Sequence, residues 1–96
     1  MRHADWKAFH GAAETGDLEL VDYYLRVGVD VNYEHPEYMT TAPVSAILAG
    51  QEEVVLFLME HGVDPDKVST MEQLSPLQAA QQVGMTSVVE KFAAQN

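Results

Sequence analysis

The sequence contains no cysteine, which excludes disulfides, thiolate nucleophiles, zinc knuckles and cysteine-ligated iron–sulfur clusters together. A small secreted domain without such staples is unusual, so a cytoplasmic location is expected. Long apolar runs are missing too. The longest, Val54 to Met59, is far short of a membrane span, and the start Met1-Arg2-His3-Ala4-Asp5-Trp6 has no continuous apolar stretch of the kind a secretion signal needs. Basic residues are scarce and dispersed: five Lys and Arg stand against fifteen Asp and Glu, a net charge of −10. A basic stripe for nucleic acid is therefore absent, and the field repels phosphate backbones and anionic lipid. The imbalance is lopsided, because residues 1–66 hold 13 acids and 3 bases whereas residues 67–96 hold 2 of each. An acidic field of this kind either serves solubility alone or steers in a partner protein with a basic surface.

What is present is enough to fold. Hydrophobic residues make up 47% and charged residues 21% of 96 residues, and a chain of this length buries about 60–65% of its unfolded surface. One modest core in one domain is expected, spanning 1–96.

Self-similarity carries the main signal. Gly16, Gly50 and Gly84 recur every 34 residues, as do Ala12, Ala46 and Ala80 and the pairs Leu20-Val21, Val54-Val55 and Val88-Val89. Gly28 and Gly62, and Asp30 and Asp64, share the spacing. Each unit reads as helix, tight turn, helix. First helices are predicted over Trp6–Thr15, Ala42–Ala49 and Pro76–Val83, each running up to or next to a glycine able to take the left-handed conformation. Thr41 and Ser75 stand as N-caps, with Pro76 at the first helical position, where its missing N–H costs nothing. Second helices are predicted over Leu18–Val27, Glu52–His61 and Ser87–Ala94, with apolar residues at helical spacing: Leu18, Val21, Tyr24 and Leu25, then Val54, Val55, Leu58 and Met59, then Val88, Val89, Phe92 and Ala93. A lone hairpin of two short helices cannot cover such a face, so the three units, about 4–37, 38–71 and 72–96, must stack into an all-α solenoid.

The pattern T-P-L-H-x-A-A-x-x-G followed by V-V-x-x-L-L-x-x-G-A-D-V-N is that of the ankyrin repeat, and the chain resembles it along nearly its whole length. Unit three reads Ser75-Pro76-Leu77-Gln78-Ala79-Ala80 and reaches Gly84, Val88 and Val89. Unit two reads Thr41-Ala42-Pro43-Val44-Ser45-Ala46, then Gly50, Val54, Val55, Leu58, Gly62, Val63 and Asp64. Unit one reads Ala8-Phe9-His10-Gly11-Ala12-Ala13, then Gly16, Val21, Leu25 and Gly28-Val29-Asp30-Val31-Asn32. The units depart from the family by one inserted residue in each connecting finger, between Asn32 and Tyr38 and between Asp66 and Glu72. Met39 and Gln73 stand where a finger-tip glycine is usual, so irregular fingers are expected. Pro43 sits one place later than the family proline. Lys7, Glu90, Lys91, Gln95 and Asn96 keep both ends polar, as expected of caps on a whole protein or a complete excised domain; a monomer on its own is expected.

The resemblance implies a non-catalytic protein-interaction module that uses its finger tips and the concave face of its first helices, without cofactor or metal. The open positions on that face are expected to be Gly11, Glu14 and Thr15, then Ser45, Leu48 and Ala49, then Ala79, Gln82 and Val83. The first finger, Tyr33 to Met39, holds two tyrosines and a methionine, residue types that dominate interface energies. Tyr33, Tyr38, Met39 and Leu48 are the expected apolar centre, with Glu14, Glu34 and Glu37 as a steering rim and Ser45 and Gln82 beside them. The competing reading packs the tyrosines on the finger itself or on a neighbouring unit. The second finger, Pro65 to Glu72, is ranked below the first.

Catalytic signals are weak. His3, His10, His35 and His61 are spread without metal-ligand spacing. His10 matches the motif histidine, whose implied task is a hydrogen bond between neighbouring units, and His61 suits a helix end. Glu52-Glu53 opens a helix, where carboxylates favour the positive dipole end, and both this pair and Asp64-Pro65-Asp66 read as structural, since acid–base work requires a pocket that perturbs their pKa values. Trp6 is expected to cover the open edge of unit one. A dedicated acidic inhibitor of a basic enzyme or toxin is the alternative to a general binding module.

Overall fold

The structure, a computed structural model, describes residues 2–95; the expected polar residue Asn96 lies outside them. Among the described residues there are six helices and no strand: α1 (His3–Thr15), α2 (Leu18–Arg26), α3 (Ala42–Leu48), α4 (Glu52–Met59), α5 (Pro76–Val83) and α6 (Thr86–Ala94). Among the described residues no helix is long and apolar enough to cross a membrane. α1, α3 and α5 pack side by side as an inner row, and α2, α4 and α6 as an outer row, with each hairpin closed by contact between its own two helices. The core runs unbroken between the rows, from Phe9 and Val21 through Ile47, Val55 and Leu58 to Ala80 and Val88. This is the stacked solenoid that the period requires, and α1 begins three residues earlier than the pattern predicts.

Local chemistry sets the helix ends. Gly16 and Gly84 close α1 and α5 in the left-handed region, at φ 85° and 72°. At Gly16 space matters as well: a Cβ would sit 2.6 Å from Gln51 Oε1, on the side chain whose Nε2 donates to the Glu14 carbonyl at 3.0 Å. α5 starts with a reciprocal cap, in which Gln78 N donates to Ser75 Oγ at 3.1 Å and Ser75 N to Gln78 Oε1 at 2.9 Å. Thr41, expected to cap α3, does not do so. A cap hydroxyl serves the N–H of the second or third helical residue; the second here, Pro43, has none, and the third, Val44, is not engaged by Thr41. Thr41 turns instead to the next finger, its Oγ1 lying 2.7 Å from Ser69 Oγ, which also accepts from Thr41 N at 3.1 Å.

The fingers lack strands beyond a single bridge between Ser69 and Leu74, yet their irregularity is the same in both. Met39 N donates to the His35 carbonyl and Gln73 N to that of Ser69, each at 2.7 Å, while His35 N reaches Thr40 O at 3.3 Å and Ser69 N reaches Leu74 O at 2.9 Å. Met39 and Gln73, standing at the family's glycine position, carry the positive φ the turn demands, 54° and 56°. A side chain there costs about 1–2 kcal/mol, partly offset by a stiffer unfolded chain. Gln73→Gly is expected to raise stability by about 0.5–1 kcal/mol in urea melts; a loss would mean that the Gln73 side chain supports the turn. The fingers then stack, through Met71 N to Met39 O at 2.8 Å and through Asn32, which donates to Gly62 O and accepts from Asp64 N, both at 2.9 Å.

Candidate functional site

The site grows from the first turns of α1. Trp6, buried at 1% exposure, stacks on His10 one helical turn later, with ring centroids 4.8 Å apart. The first finger closes over the same indole: His35 lies 4.8 Å and Tyr38 5.8 Å from it, the tyrosine nearly parallel at 19°. Tyr33 meets the Trp6 edge at 6.5 Å. Thus Trp6 lies under the finger and joins it to α1, a larger role than covering an open edge. Its Nε1 is buried without a hydrogen-bond partner among the described residues.

Two imidazoles hold this finger in shape. His35 Nδ1 accepts from the backbone N–H of Glu37 at 3.1 Å and of Tyr38 at 3.4 Å, so its proton sits on Nε2, which donates to His3 Nδ1. The four histidines are therefore not all scattered: the fold brings His3 and His35 together across 32 positions. His10 takes the role the motif implies, its Nε2 lying 2.8 Å from Ser45 Oγ in the next unit. Ser45 Oγ is 3.1 Å from Thr40 Oγ1, and that hydroxyl donates to the Glu72 carboxylate at 2.9–3.0 Å. A polar chain thus crosses from the first inner helix to the second finger.

Burial pushes the His10 pKa below the ordinary 6.5, outweighing the attraction of Glu14 and Glu72. A histidine whose pKa is lowered by folding adds stability that is present above the unfolded value and is lost as the pH falls. Wild-type protein is therefore expected to lose more stability between about pH 7.5 and about pH 5.5 than His10→Gln does, measured by urea melts. Equal losses would remove His10 from the account.

Above Trp6 lies a cavity of about 450 Å³. Trp6, His10 and Gly11 form its floor, Tyr38 and Thr40 of the first finger and Met71 and Glu72 of the second form its wall, and Lys7 and Glu14 line it as well. The Lys7 ammonium stands 5.7 Å over the Tyr38 ring. A groove with an aromatic and methionine wall and a glycine on its floor has room for an apolar side chain, and its acids suit a basic neighbour.

The expected residues divide. Glu14 and Tyr38 line the groove, and Met39 lies beside Tyr38 at the finger tip, Tyr38 and Met39 each 40% exposed. Glu37 is exposed, and Leu48 and Gln82, one and two periods from Glu14, are exposed on α3 and α5. Tyr33 is half-buried in a separate cleft of about 240 Å³ with Arg2, His3 and Glu37. The Glu34 carboxylate is engaged by Thr70, accepting from its N at 2.8 Å and its Oγ1 at 2.9 Å. Ser45, expected on the open face, is 7% exposed, and Ala79, one period later, is buried too. In this register the side chain points back at the preceding hairpin, as the Ser45 contact with His10 demonstrates; Gly11, in unit one, has no hairpin before it among the described residues.

Sequence reasoning missed Met71 and Glu72 as groove residues. The signal was available, since they lie one period beyond Glu37 and Tyr38, and Met71 is 59% exposed. Elsewhere the acid pairs act structurally: Glu52 accepts from the Ser87 hydroxyl, and Asp64 Oδ1 accepts from Asp66 N at 2.9 Å. His61 is exposed and packs on Phe57, ring centroids 4.8 Å apart.

Residues 6–96 match the family described as ankyrin repeats (3 copies). Among curated proteins the chain is 35% identical over 68 residues to human ankyrin repeat and SOCS box protein 6, covering 71% of this chain and 16% of that protein. It is 32% identical over 86 residues to human ARF GTPase-activating protein GIT1, covering 90% of this chain and 11% of that one. With human ankyrin repeat domain-containing protein 7 it shares 39% identity over 61 residues, 62% of this chain and 24% of the relative. The chain thus spans less than a quarter of the length of each. Ankyrin repeats are generally non-catalytic modules of protein–protein interaction.

Proposed function

The chain belongs to the ankyrin-repeat family, and on that premise we propose that it is a non-catalytic module whose single domain grips a partner protein in the groove between α1 and its two fingers. The observation that carries this reading is the exposure of Tyr38, Met39 and Met71 together at the finger tips, beside a cavity floored by an indole and a glycine. Exposed aromatic and methionine side chains around a concavity are the usual anchors of a protein interface. Glu14 and Glu72 line the same groove, so the partner presents an apolar residue flanked by basic ones, and its affinity falls as salt rises. Leu48 and Gln82 extend the contact along α3 and α5. In this reading the protein works in the cytoplasm.

The test places a photo-crosslinking residue at Met71 or Tyr38, with Glu53 on α4 as the control position, and identifies the adducts by mass spectrometry. A partner joined at the finger positions and not at Glu53 supports the groove. Met71→Ala, which changes an exposed side chain, is then expected to weaken that partner by about 1–2 kcal/mol, roughly 5- to 30-fold. Crosslinking confined to Glu53, or unchanged affinity of the Met71 variant, would remove the groove from the binding surface.

A further inference from the structure

Among the described residues, nothing covers the partly apolar outward face of α2. Leu20, Tyr23 and Val27 are 37%, 50% and 55% exposed, while Val54, one period after Leu20, is 2% exposed because a hairpin precedes it. A helix turns by about 100° per residue, which places Tyr23 at the middle of this face, Leu20 and Val27 on one flank, and Glu19 and Arg26 on the other. A shallow groove of about 400 Å³ runs over Asp17, Glu19, Leu20, Tyr23 and Arg26. The acids stand at the start of the helix and the base at its end.

That order is complementary to its own reverse. We propose that α2 docks against α2 of a second copy of this chain, antiparallel about a two-fold axis at Tyr23. Such an axis sets a residue a given number of places before Tyr23 opposite the one as many places after it, on the same flank. Glu19 then faces Arg26 of the other copy, or nearly so, twice over, Leu20 faces Val27 twice, and the two tyrosines meet at the axis. A parallel two-fold would instead set the charged flank of one copy against the apolar flank of the other, Glu19 near Leu20 and Arg26 near Val27, so charge pairing favours the antiparallel direction. Arg26 already pairs with Asp22 at 3.2 Å, but both groups are solvent-accessible, and such pairs are weak enough to share the guanidinium. The net charge of −10 opposes close approach and the contact is small, so the dimer is transient. Such a dimer departs from the lone monomer expected of the sequence: α6 and the last turn carry Glu90, Lys91 and Gln95, whereas the face of α2 carries Leu20 and Tyr23.

Sedimentation equilibrium of the whole chain from micromolar to near-millimolar concentration, at about 0.15 M salt, reads this directly. Wild-type mass is expected to rise from one chain toward two. Glu19→Arg alone sets two pairs of bases across the axis, and Arg26→Glu alone two pairs of acids, so each stays at one chain. Mixed in equal amounts they are expected to recover the two-chain mass, because one copy then offers only bases and the other only acids. Tyr23→Arg also stays at one chain. All three positions are exposed, and circular dichroism checks that the variants remain folded. A wild type that remains a single chain throughout overturns the proposal. So does a single variant that associates like wild type, or a mixture that stays monomeric, since association would then use another surface.

Discussion

Trp6→Ala is expected to lower stability by about 3–5 kcal/mol, a large share of the roughly 5–14 kcal/mol available to a chain of this length. The indole is buried and is touched by α1 through His10 and by the first finger through His35, Tyr38 and Tyr33. Removing it opens a cavity and also releases the finger from the helix. Trp6→Phe should cost less, because it keeps a ring in the stack and the N–H it removes has no partner among the described residues, so that its cost is the smaller void left by the lost part of the indole. Urea melts followed by circular dichroism measure both. A loss below about 1 kcal/mol for the alanine variant would mean that the finger holds its place by backbone contacts alone.

The second large effect separates the middle of the stack from its end. Leu58 and Tyr24 occupy the same register one period apart, yet Leu58 is fully buried and Tyr24 only partly so. Leu58→Ala is expected to cost about 2–5 kcal/mol, and Tyr24→Ala less than half of that. The reason is the one-dimensional design: α4 packs between α2 and α6, so a central truncation weakens two seams while one in α2 weakens only one. Differential scanning calorimetry should show the Leu58 variant melting in one transition at a lower temperature. Equal destabilisation by both substitutions would contradict the nearest-neighbour account.

Most of the architecture was legible because it rests on local chemistry. Gly16 and Gly84 end helices because an L side chain resists positive φ, and Ser75 with Gln78 forms a cap within four residues. Met39 and Gln73 could be recognised as occupants of a glycine position from alignment with the period, and both carry the strained φ that this implies. The Thr41 cap failed because its hydroxyl is engaged by Ser69 in another unit, while Pro43 leaves only the third helical N–H for a cap to serve.

The site was legible only in part. Tyr38, Met39 and Glu14 could be singled out by residue type and place, but Ser45 could not be assigned a direction, since a position on a short helix faces either the groove or the preceding hairpin according to how the hairpins are rotated when stacked. Met71 and Glu72 entered the groove through stacking of the two fingers. The meeting of His3 with His35, and of Trp6 with Tyr38, joins residues some thirty positions apart that no local rule connects.

The order of residues by itself determined the period, the six helices, their turns and the face each must bury, because helix sterics, capping and apolar spacing act within a few residues of one another. Only the tertiary structure decided which side chains of that face meet a neighbour and which meet water. That depends on the rotation and offset between successive hairpins, a quantity set by packing across units and written in no single segment of the chain.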